Sequence, residues 1–271
     1  GIKQLLVDRA YHEAICYSFI SDKEQQRFDP EIAALALTNP ISSDMSVMRT
    51  SLWPGLLKAA LHNVNRQQNR VRLFEMGRRY LPSTKNKTPH LAQDMMIAGL
   101  ALGALTKEQW GEQTRSVDFY DVKADVEALL SCNQLSGTFY PEARAGLHPG
   151  QSAAIEVGGK NVGFVGALHP GIAQAVGLDQ PVFLFELQLA GIEQGDLSVF
   201  QPISKFPAIR RDLAIVVEEK ILSHSLLQTV RDVIGPLLID LCIFDLYCGE
   251  KIKKNEKSLA LGLTLQHPSR T

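Results

Sequence analysis

Apolar residues recur along this chain with two periods, one near 3.6 and one near 2, and the changes between them mark out its elements. Near the N-terminus a short helix leads into a β-rich stretch at 14–20. The run Ser21-Asp22-Lys23-Glu24-Gln25 follows, whose serine and glutamate stand at capping-box spacing before the next helix. Residues 35–40 read as a strand ended by Asn39-Pro40, then a loop through Ser42, Ser43 and Asp44. Pro54 and Gly55 open a helix running to about residue 70. Leu56, Leu57, Ala60, Leu61 and Val64 lie on one face, with Lys58, His62, Asn65 and Arg66 on the other. Stretches 71–77 and 95–102 read as short strands, and 120–130 as a helix. The clearest local pattern is a hairpin, in which 152–157 and 162–168 flank Gly158-Gly159-Lys160-Asn161, a turn of residues that tolerate positive φ. A further strand at 182–189 alternates Phe183, Phe185 and Leu187 against Leu184, Glu186 and Gln188. Strands joined by hairpins and backed by helices predict an α+β fold around an antiparallel sheet, not a βαβ repeat.

The small polar stretch 191–198 reads as a linker. After it come a strand at 212–217, a helix at 223–234 with a Gly235-Pro236 stop, a strand at 238–246, a turn, and a strand at 258–266. This β-α-β-β order is the opening of a ferredoxin-like split-βαβ domain, whose closing helix and strand are expected beyond Thr271. The expected domains are therefore 1–195 and an incomplete 198–271.

Composition narrows the picture. With 271 residues, 45% of them hydrophobic, the chain can fill one large core or two ordinary ones, which argues against disorder. Its 28 Lys and Arg nearly balance 29 Asp and Glu, so a surface for a polyanion has to be a local patch. From Ser198 onward ten basic residues face eight acidic ones, against eighteen and twenty-one before it, a weak shift toward positive charge at the C-terminal end. Cys16, Cys132, Cys242 and Cys248 form no CxxC pair and read as core thiols of a reducing cytosol. No apolar run is long enough for a membrane span, and the N-terminus is unlike a signal peptide, so a cytoplasmic location is expected.

Little in the residues points to chemistry performed by this chain alone. His148 and His169 each sit in a Leu-His-Pro-Gly sequence at one end of the hairpin. A metal or general-base role is imaginable there, but no third ligand has the expected spacing, and turn-forming residues are the plainer reading. Asp121 and Asp125 share a helix face with Glu127 nearby and read as a solvated acidic face. GxGxxG, P-loop, GxSxG and HExxH motifs are absent from the sequence.

Longer segments carry a resemblance. Asn39-Pro-Ile-Ser-Ser-Asp-Met-Ser-Val-Met-Arg-Thr-Ser-Leu-Trp-Pro-Gly-Leu57 and Arg72-Leu-Phe-Glu-Met-Gly77 are similar to the catalytic-like module of the β subunit of bacterial phenylalanine–tRNA ligase. So are Phe119-Tyr-Asp-Val-Lys123, His148-Pro-Gly-Gln-Ser-Ala153, Gly166-Ala-Leu-His-Pro170 and Phe183-Leu-Phe-Glu-Leu187. The resemblance runs from about residue 2 to the end and implies a class II synthetase-like antiparallel sheet with helices. Catalytic members of that class grip the ATP α-phosphate with an arginine after the motif-two strand and place another arginine in a glycine-rich third motif. Here Gly77-Arg78-Arg79-Tyr80 is followed by Leu81 and Pro82, and Phe185-Glu186-Leu187 replaces the third motif. The resemblance therefore implies a module with no catalytic residue and no metal ligand. It packs on an α subunit that holds the active site, and two αβ units join through a four-helix interface into an (αβ)₂ heterotetramer. Arg49, Leu56, Leu57 and Leu61 are the candidate interface residues. ATP and Mg²⁺ serve the holoenzyme and are not expected on this fragment. The family's editing site, N-terminal oligonucleotide-binding-like domain and magnesium residues are expected upstream of Gly1.

The C-terminal segments Phe200-Gln-Pro-Ile-Ser-Lys-Phe-Pro-Ala-Ile-Arg-Arg-Asp-Leu-Ala214 and Phe244-Asp-Leu-Tyr-Cys-Gly-Glu-Lys251 resemble the ferredoxin-fold anticodon-binding domain of the same subunit. The partner implied is tRNA(Phe). Lys205, Arg210 and Arg211 offer phosphate contacts beside Phe206, and Lys251, Lys253 and Lys254 form a basic turn with Lys257. Tyr247 is a stacking candidate, whereas Phe244, among apolar neighbours, is expected to pack inward. Two other readings stand beside this one: a self-sufficient adenylating enzyme, opposed by Leu81 and the missing third motif, and a free-standing RNA-binding or scaffold protein derived from a synthetase.

Overall fold

Ser21 and Glu24 form the capping box their spacing predicts: the Ser21 hydroxyl accepts the Glu24 N–H and the Glu24 carboxylate accepts the Ser21 N–H. Two of the orphan donors at that helix start are thereby satisfied. The computed structural model describes residues 1–85, 88–193, 195, 200, 203–249 and 251–267. The chain divides into two units, Gly1–Ser198 and Val199–Thr271. Part of the 191–198 stretch read as a linker lies outside the described residues, as do Gln201, Pro202 and Glu250 of the C-terminal motifs.

The first unit begins with α1 (Ile2–Asp8), β1 (His12–Glu13), β2 (Phe19–Ile20), α2 (Asp22–Phe28) and β3 (Val47–Met48). It continues with α3 (Trp53–Val64), the long hairpin β4 (Arg70–Lys85) and β5 (Thr88–Gly103), and α4 (Phe119–Ser131). It closes with β6 (Thr138–Pro141), β7 (Leu147–Val157), β8 (Lys160–Leu168), α5 (Pro170–Val176) and β9 (Val182–Gln188). Seven strands form one sheet in the order β1-β4-β5-β9-β8-β7-β6, antiparallel except for the short parallel pair β1 and β4. β9 comes last in sequence yet pairs with β5 on one side and β8 on the other.

Helices pack on both faces of this sheet. Phe74, Ile97, Val165, Phe185 and Leu187 pack with Val122, Val126 and Leu129 of α4, while Leu73, Leu100, Val182 and Leu184 pack with Leu56, Leu57 and Ala60 of α3. The alternation along β9 thus divides its side chains between two cores. Each fully buried Leu or Phe contributes about 1.5–3 kcal/mol of apolar transfer. Close packing fixes one glycine: a Cβ at Gly99 would lie 2.1 Å from the Phe185 ring. The β7–β8 turn fixes two more, because Gly158 and Gly159 stand at φ 58° and 75°, the left-handed pair that a two-residue hairpin requires.

The second unit holds β10 (Ile209–Glu218), α6 (Ser223–Ile234), β11 (Leu238–Tyr247) and β12 (Glu256–Leu265). Its sheet order is β10-β12-β11, antiparallel throughout. Leu226, Leu227, Val230 and Ile234 of α6 pack over Leu259, Leu261 and Leu263 of the central strand, and the opposite sheet face is open. The molecule is α+β, as its patterning predicts.

Several local expectations change. Residues 35–40 form no strand, only an isolated bridge from Ala36 to Val47. The α3 helix stops at Val64, and Gln67 takes a positive φ before β4 begins at Arg70. The β-rich 14–20 stretch shrinks to the two-residue β2, with β1 just before it. Cys132 and Cys248 are exposed rather than core thiols, and Cys16 and Cys242 are half-buried; all four are free.

Candidate functional site

Three places bring polar or exposed apolar side chains together. The first lies where α3 starts. Leu52 occupies the N-cap and has no side-chain acceptor of its own, so the helix end is capped from β9. Ser51 Oγ donates to Glu186 Oε1 at 3.1 Å, and the Leu52 N–H donates to the same oxygen at 2.7 Å. The Trp53 N–H donates to Ser51 Oγ at 3.1 Å, and its indole Nε1 donates to the Phe185 carbonyl at 3.0 Å. The negative carboxylate sits at the positive end of the helix dipole. Burial holds the Glu186 carboxyl above the usual carboxylate range, the Leu52 N–H acting in the opposite direction.

Beyond the helix start the sheet face is left uncovered and forms a cavity of about 180 Å³, floored by Met96, Phe164 and Glu186 and walled by Thr50, Arg79, Leu81, Arg144, Asn161 and Gln188. Both arginines are already engaged. Arg144 pairs with the buried Asp29 and stacks 5.5 Å over the Phe164 ring, and Arg79 donates twice to Asp94 Oδ2 at 3.1 and 2.9 Å. Thr50 Oγ1 stands 2.5 Å from Asp29 Oδ2. Leu81 lines the wall. This donor set does not fit ATP with magnesium, since its guanidinium groups are held by carboxylates. Among the described residues no three His, Cys, Asp or Glu side chains are placed to hold a metal.

The second place is the outer side of α3. Arg49 is buried: its Nη1 donates to Glu75 Oε1 at 2.8 Å and its Nε to the Arg78 carbonyl at 2.9 Å. Leu56 and Leu57 face the chain's own core and Leu61 is half-buried. Of the four expected interface residues, then, three point inward, because the apolar stripe of α3 is used up by the sheet. The opposite side carries Lys58, Ala59, His62 and Asn63, which border an open groove of about 400 Å³ with Tyr17, Phe19 and Met45. Ile15, Tyr17 and Ile41 are 94%, 67% and 81% exposed in the same unit. Cys16 lines this groove too, but burial and then Glu75 push its thiol up to about 12, so it is no nucleophile at neutral pH.

A second buried ion cluster corrects the reading of α4. Asp125 is buried, not solvated: it accepts from Arg9 Nε at 2.5 Å, Tyr11 Oη at 2.7 Å and Arg72 Nη1 at 3.2 Å, tying α1 and β4 to α4. Asp121 pairs with Arg115, whose hydrogen bonds hold its carboxyl below the usual range. The two histidines shape turns: Nδ1 of His148 accepts the Gly150 N–H at 3.0 Å, and Nδ1 of His169 the Gly171 N–H at 3.1 Å.

The third place is the open face of the β10-β12-β11 sheet. Ladder register puts Arg210, opposite Thr264, and Tyr247, opposite Ser258, on this face. A Cβ on Gly262 would lie 2.8 Å from Arg210 Nη2, so the guanidinium lies across the central strand and reaches within 5.6 Å of the Phe244 ring centroid. Phe244 is 51% exposed rather than packed inward, a consequence of the register shift between Ile243 and Asp245. Arg211, opposite Leu263, points to the α6 side. Exposed Lys205 and half-buried Phe206 sit at the Leu265 end of β12, where Gln266 Nε2 donates to the Phe206 carbonyl. Exposed Lys251, Lys253 and Lys254 sit at the other end, ten ladder pairs or roughly 30 Å away. Acidic side chains accompany that turn: Lys253 lies 3.7 Å from Glu256, and Lys220 2.7 Å from Glu218. The structure therefore joins Arg210, Phe244 and Tyr247 on one face and distributes the remaining candidates around it.

The cavity and the groove were not visible in the sequence. Glu186 and Gln188, two polar residues ending an apolar strand, were the only signal for the first. The groove's apolar residues are scattered between 16 and 59 and carry no period.

Comparison with known proteins adds the context. Residues 1–189 match the phenylalanyl tRNA synthetase beta chain CLM domain, and residues 204–271 match the ferredoxin-fold anticodon binding domain. The chain is 52% identical over 272 residues to the phenylalanine–tRNA ligase beta subunit of Pseudomonas putida. It is 48% identical over 271 residues to that of Methylococcus capsulatus and 44% over 270 residues to that of Hahella chejuensis. In each case all of this chain aligns, and it spans 34% of the length of the relative. A solved pyrrolysyl tRNA synthetase from Desulfitobacterium hafniense superposes with a TM-score of 0.52 over 70% of this chain and 62% of its own, at 12% identity, a likeness of fold.

Proposed function

The chain belongs to the phenylalanyl-tRNA synthetase β-chain family, and from that premise we propose that it supports the charging of tRNA(Phe) without an active site of its own. Its first unit is a docking module for the α subunit, and its second contributes to tRNA binding. The observation that carries this reading is the ordered match of both units to β-subunit relatives along the whole chain. The cavity supports it, because Leu81 and carboxylate-bound arginines leave no guanidinium to stabilise charge on an α-phosphate. In the holoenzyme ATP and Mg²⁺ supply activation of the amino acid, and they are held elsewhere, on the α subunit.

Docking uses the outer face of α3. Its groove is apolar, is lined by Tyr17, Phe19, Ile20, Met45 and Ala59, and runs beside Lys58 and His62, the mixture of apolar centre and polar rim that protein partners recognise. The assembly is an (αβ)₂ heterotetramer in the cytoplasm. Among the described residues no helix is long and apolar enough to cross a membrane. On the second unit, the Arg210-Phe244-Tyr247 face offers cation and aromatic together, the pairing that binds unstacked bases and their phosphates.

Light scattering during size-exclusion chromatography tests the assembly. The chain run with its cognate α subunit is expected to co-elute at a mass fitting αβ or (αβ)₂, and Ala59→Arg to abolish co-elution while leaving the circular dichroism spectrum unchanged. Separate elution of two folded proteins refutes docking through this module. Phenylalanine-dependent pyrophosphate exchange by the chain alone, free of α subunit, refutes the non-catalytic reading.

A further inference from the structure

Resting on the reading of the open β10-β12-β11 face as the tRNA-binding face, we propose that Gly249 and Gly262 are positioning residues of that face. Each leaves bare the spot on which a recognition side chain lies down, Gly262 beneath the Arg210 guanidinium and Gly249 beneath the Tyr247 ring.

The backbone does not call for either glycine. Gly249 and Gly262 are not among the glycines at positive φ, so an L residue can adopt their conformation. Gly262 stands inside β12, the central strand, where a glycine packs nothing and loses more freedom on folding than any other residue. The space above it supplies the reason. A Cβ at 262 would lie 2.8 Å from Arg210 Nη2 and 3.2 Å from Cys242 Sγ. At 249 it would lie 2.4 Å from the Tyr247 hydroxyl oxygen and 2.5 Å from the ring carbon that bears it. Arg210 and Tyr247 make these contacts with the far ends of flexible side chains, so an added methyl displaces the side chain and spares the fold.

Lying flat is what joins the parts of the face. Strand side chains ordinarily stand off the sheet, yet β10 and β11 are two ladder spacings apart, roughly 10 Å. The Arg210 guanidinium reaches across by passing close over β12 at Gly262, which brings its carbon to 5.6 Å from the Phe244 ring centroid. Its Nε is tied to Asp212 Oδ1 at 3.0 Å. The Tyr247 ring is laid toward Gly249 in the same manner. A guanidinium and a ring fixed in advance offer surfaces on which unpaired bases stack, and fixing them lowers the ordering cost of association. With a methyl at either position the charge or the ring is kept but its place is lost.

The test is filter binding of tRNA(Phe) to the full chain at several salt concentrations, with a circular dichroism melt of each variant. Gly262→Ala is expected to weaken binding about threefold or more. Gly249→Ala is expected to weaken it about fivefold or more with the salt slope unchanged, since a ring carries no charge. Melting midpoints should stay level or rise, because alanine loses less freedom on folding than glycine; a merely structural role lowers midpoint and affinity together. Gly262→Ala should add nothing to Arg210→Ala, and Gly249→Ala nothing to Tyr247→Ala. A glycine variant that binds as the parent does, while Arg210→Ala and Tyr247→Ala bind weakly, overturns the positioning role and leaves the tRNA-binding face standing. Full additivity in the double variants, or a midpoint that falls in step with affinity, overturns it too. Absence of binding by the parent chain, or Arg210→Ala and Tyr247→Ala variants that bind as it does, overturns the tRNA-binding face and the positioning role with it.

Discussion

Replacing Arg49 by Met leaves the Glu75 carboxylate in the core of the first unit without its cation. Both side chains are nearly inaccessible, 3% and 5%, and the pair is 2.8 Å apart. Methionine fills the volume of the arginine stem, so the loss falls on charge and hydrogen bonding. Breaking one side of such a pair costs about 3–5 kcal/mol, and the Arg78 carbonyl loses its donor as well. At ~2–4 °C per kcal/mol for a unit of this size, the midpoint should fall by about 6–20 °C. Arg49→Met with Glu75→Leu removes both charges, and its stability should return to within about 1 kcal/mol of the parent, because a packed apolar pair replaces a desolvated ionic one. The assays are a thermal melt and urea unfolding, both followed by tryptophan fluorescence. Both tryptophans, Trp53 and Trp110, belong to the first unit, so the second is silent in this signal. A single variant that costs less than about 1 kcal/mol, or a double variant that costs the sum of its two singles, refutes the view that the pair is desolvated and mutually dependent.

Gly159→Ala, at φ 75° in the β7–β8 turn, should destabilise the first unit by about 1–2 kcal/mol in the same assay, and Gly158→Asn by less. Burial raises the Glu186 carboxyl above its unfolded value, so the folded state holds the extra proton between those two values and stability falls as pH rises through that window. Unfolding measured across pH 4 to 8 should show Glu186→Gln gaining on the parent as pH rises, the difference vanishing at the acid end. Arg210→Ala should weaken tRNA binding and reduce its salt slope by about one, and Phe244→Ala should cost about 1–3 kcal/mol with the slope unchanged, both by filter binding at several salt concentrations. If Arg211→Ala has the same effect as Arg210→Ala, the open face is not the binding face.

Legibility in the sequence followed the physical origin of each feature. Elements whose signal is local came through: the Ser21 capping box, the Gly158-Gly159 turn and the α6 helix with its Gly235-Pro236 stop all lie where short-range chemistry puts them. Short elements did not, since α5 and β6 hold seven and four residues, too few for a period to register. Burial of polar groups was hidden for a different reason. Asp125 sits four positions after Asp121 and reads as part of the same acidic face, yet its partners Arg9, Tyr11 and Arg72 are more than fifty positions away. Arg49 and Glu75 were likewise invisible as a pair, and an arginine near an amphipathic helix looked like surface. The family resemblance supplied what periodicity cannot, the pairing of two units with a shared role, but it did not say which side of α3 remains free.

The position of β9 bears on how the protein is made. The β4–β5 and β7–β8 hairpins can each close as soon as they are synthesised, since their pairings are local. They become one sheet only when residues 182–188 arrive between them. At about 5–20 residues per second, the stretch from the end of β8 at Leu168 to the end of β9 at Gln188 takes the ribosome about 1–4 s. Through that interval two half-sheets coexist on the nascent chain, each with an unpaired edge awaiting the same strand, and those edges are where the growing polypeptide is open to chaperones and to faulty association.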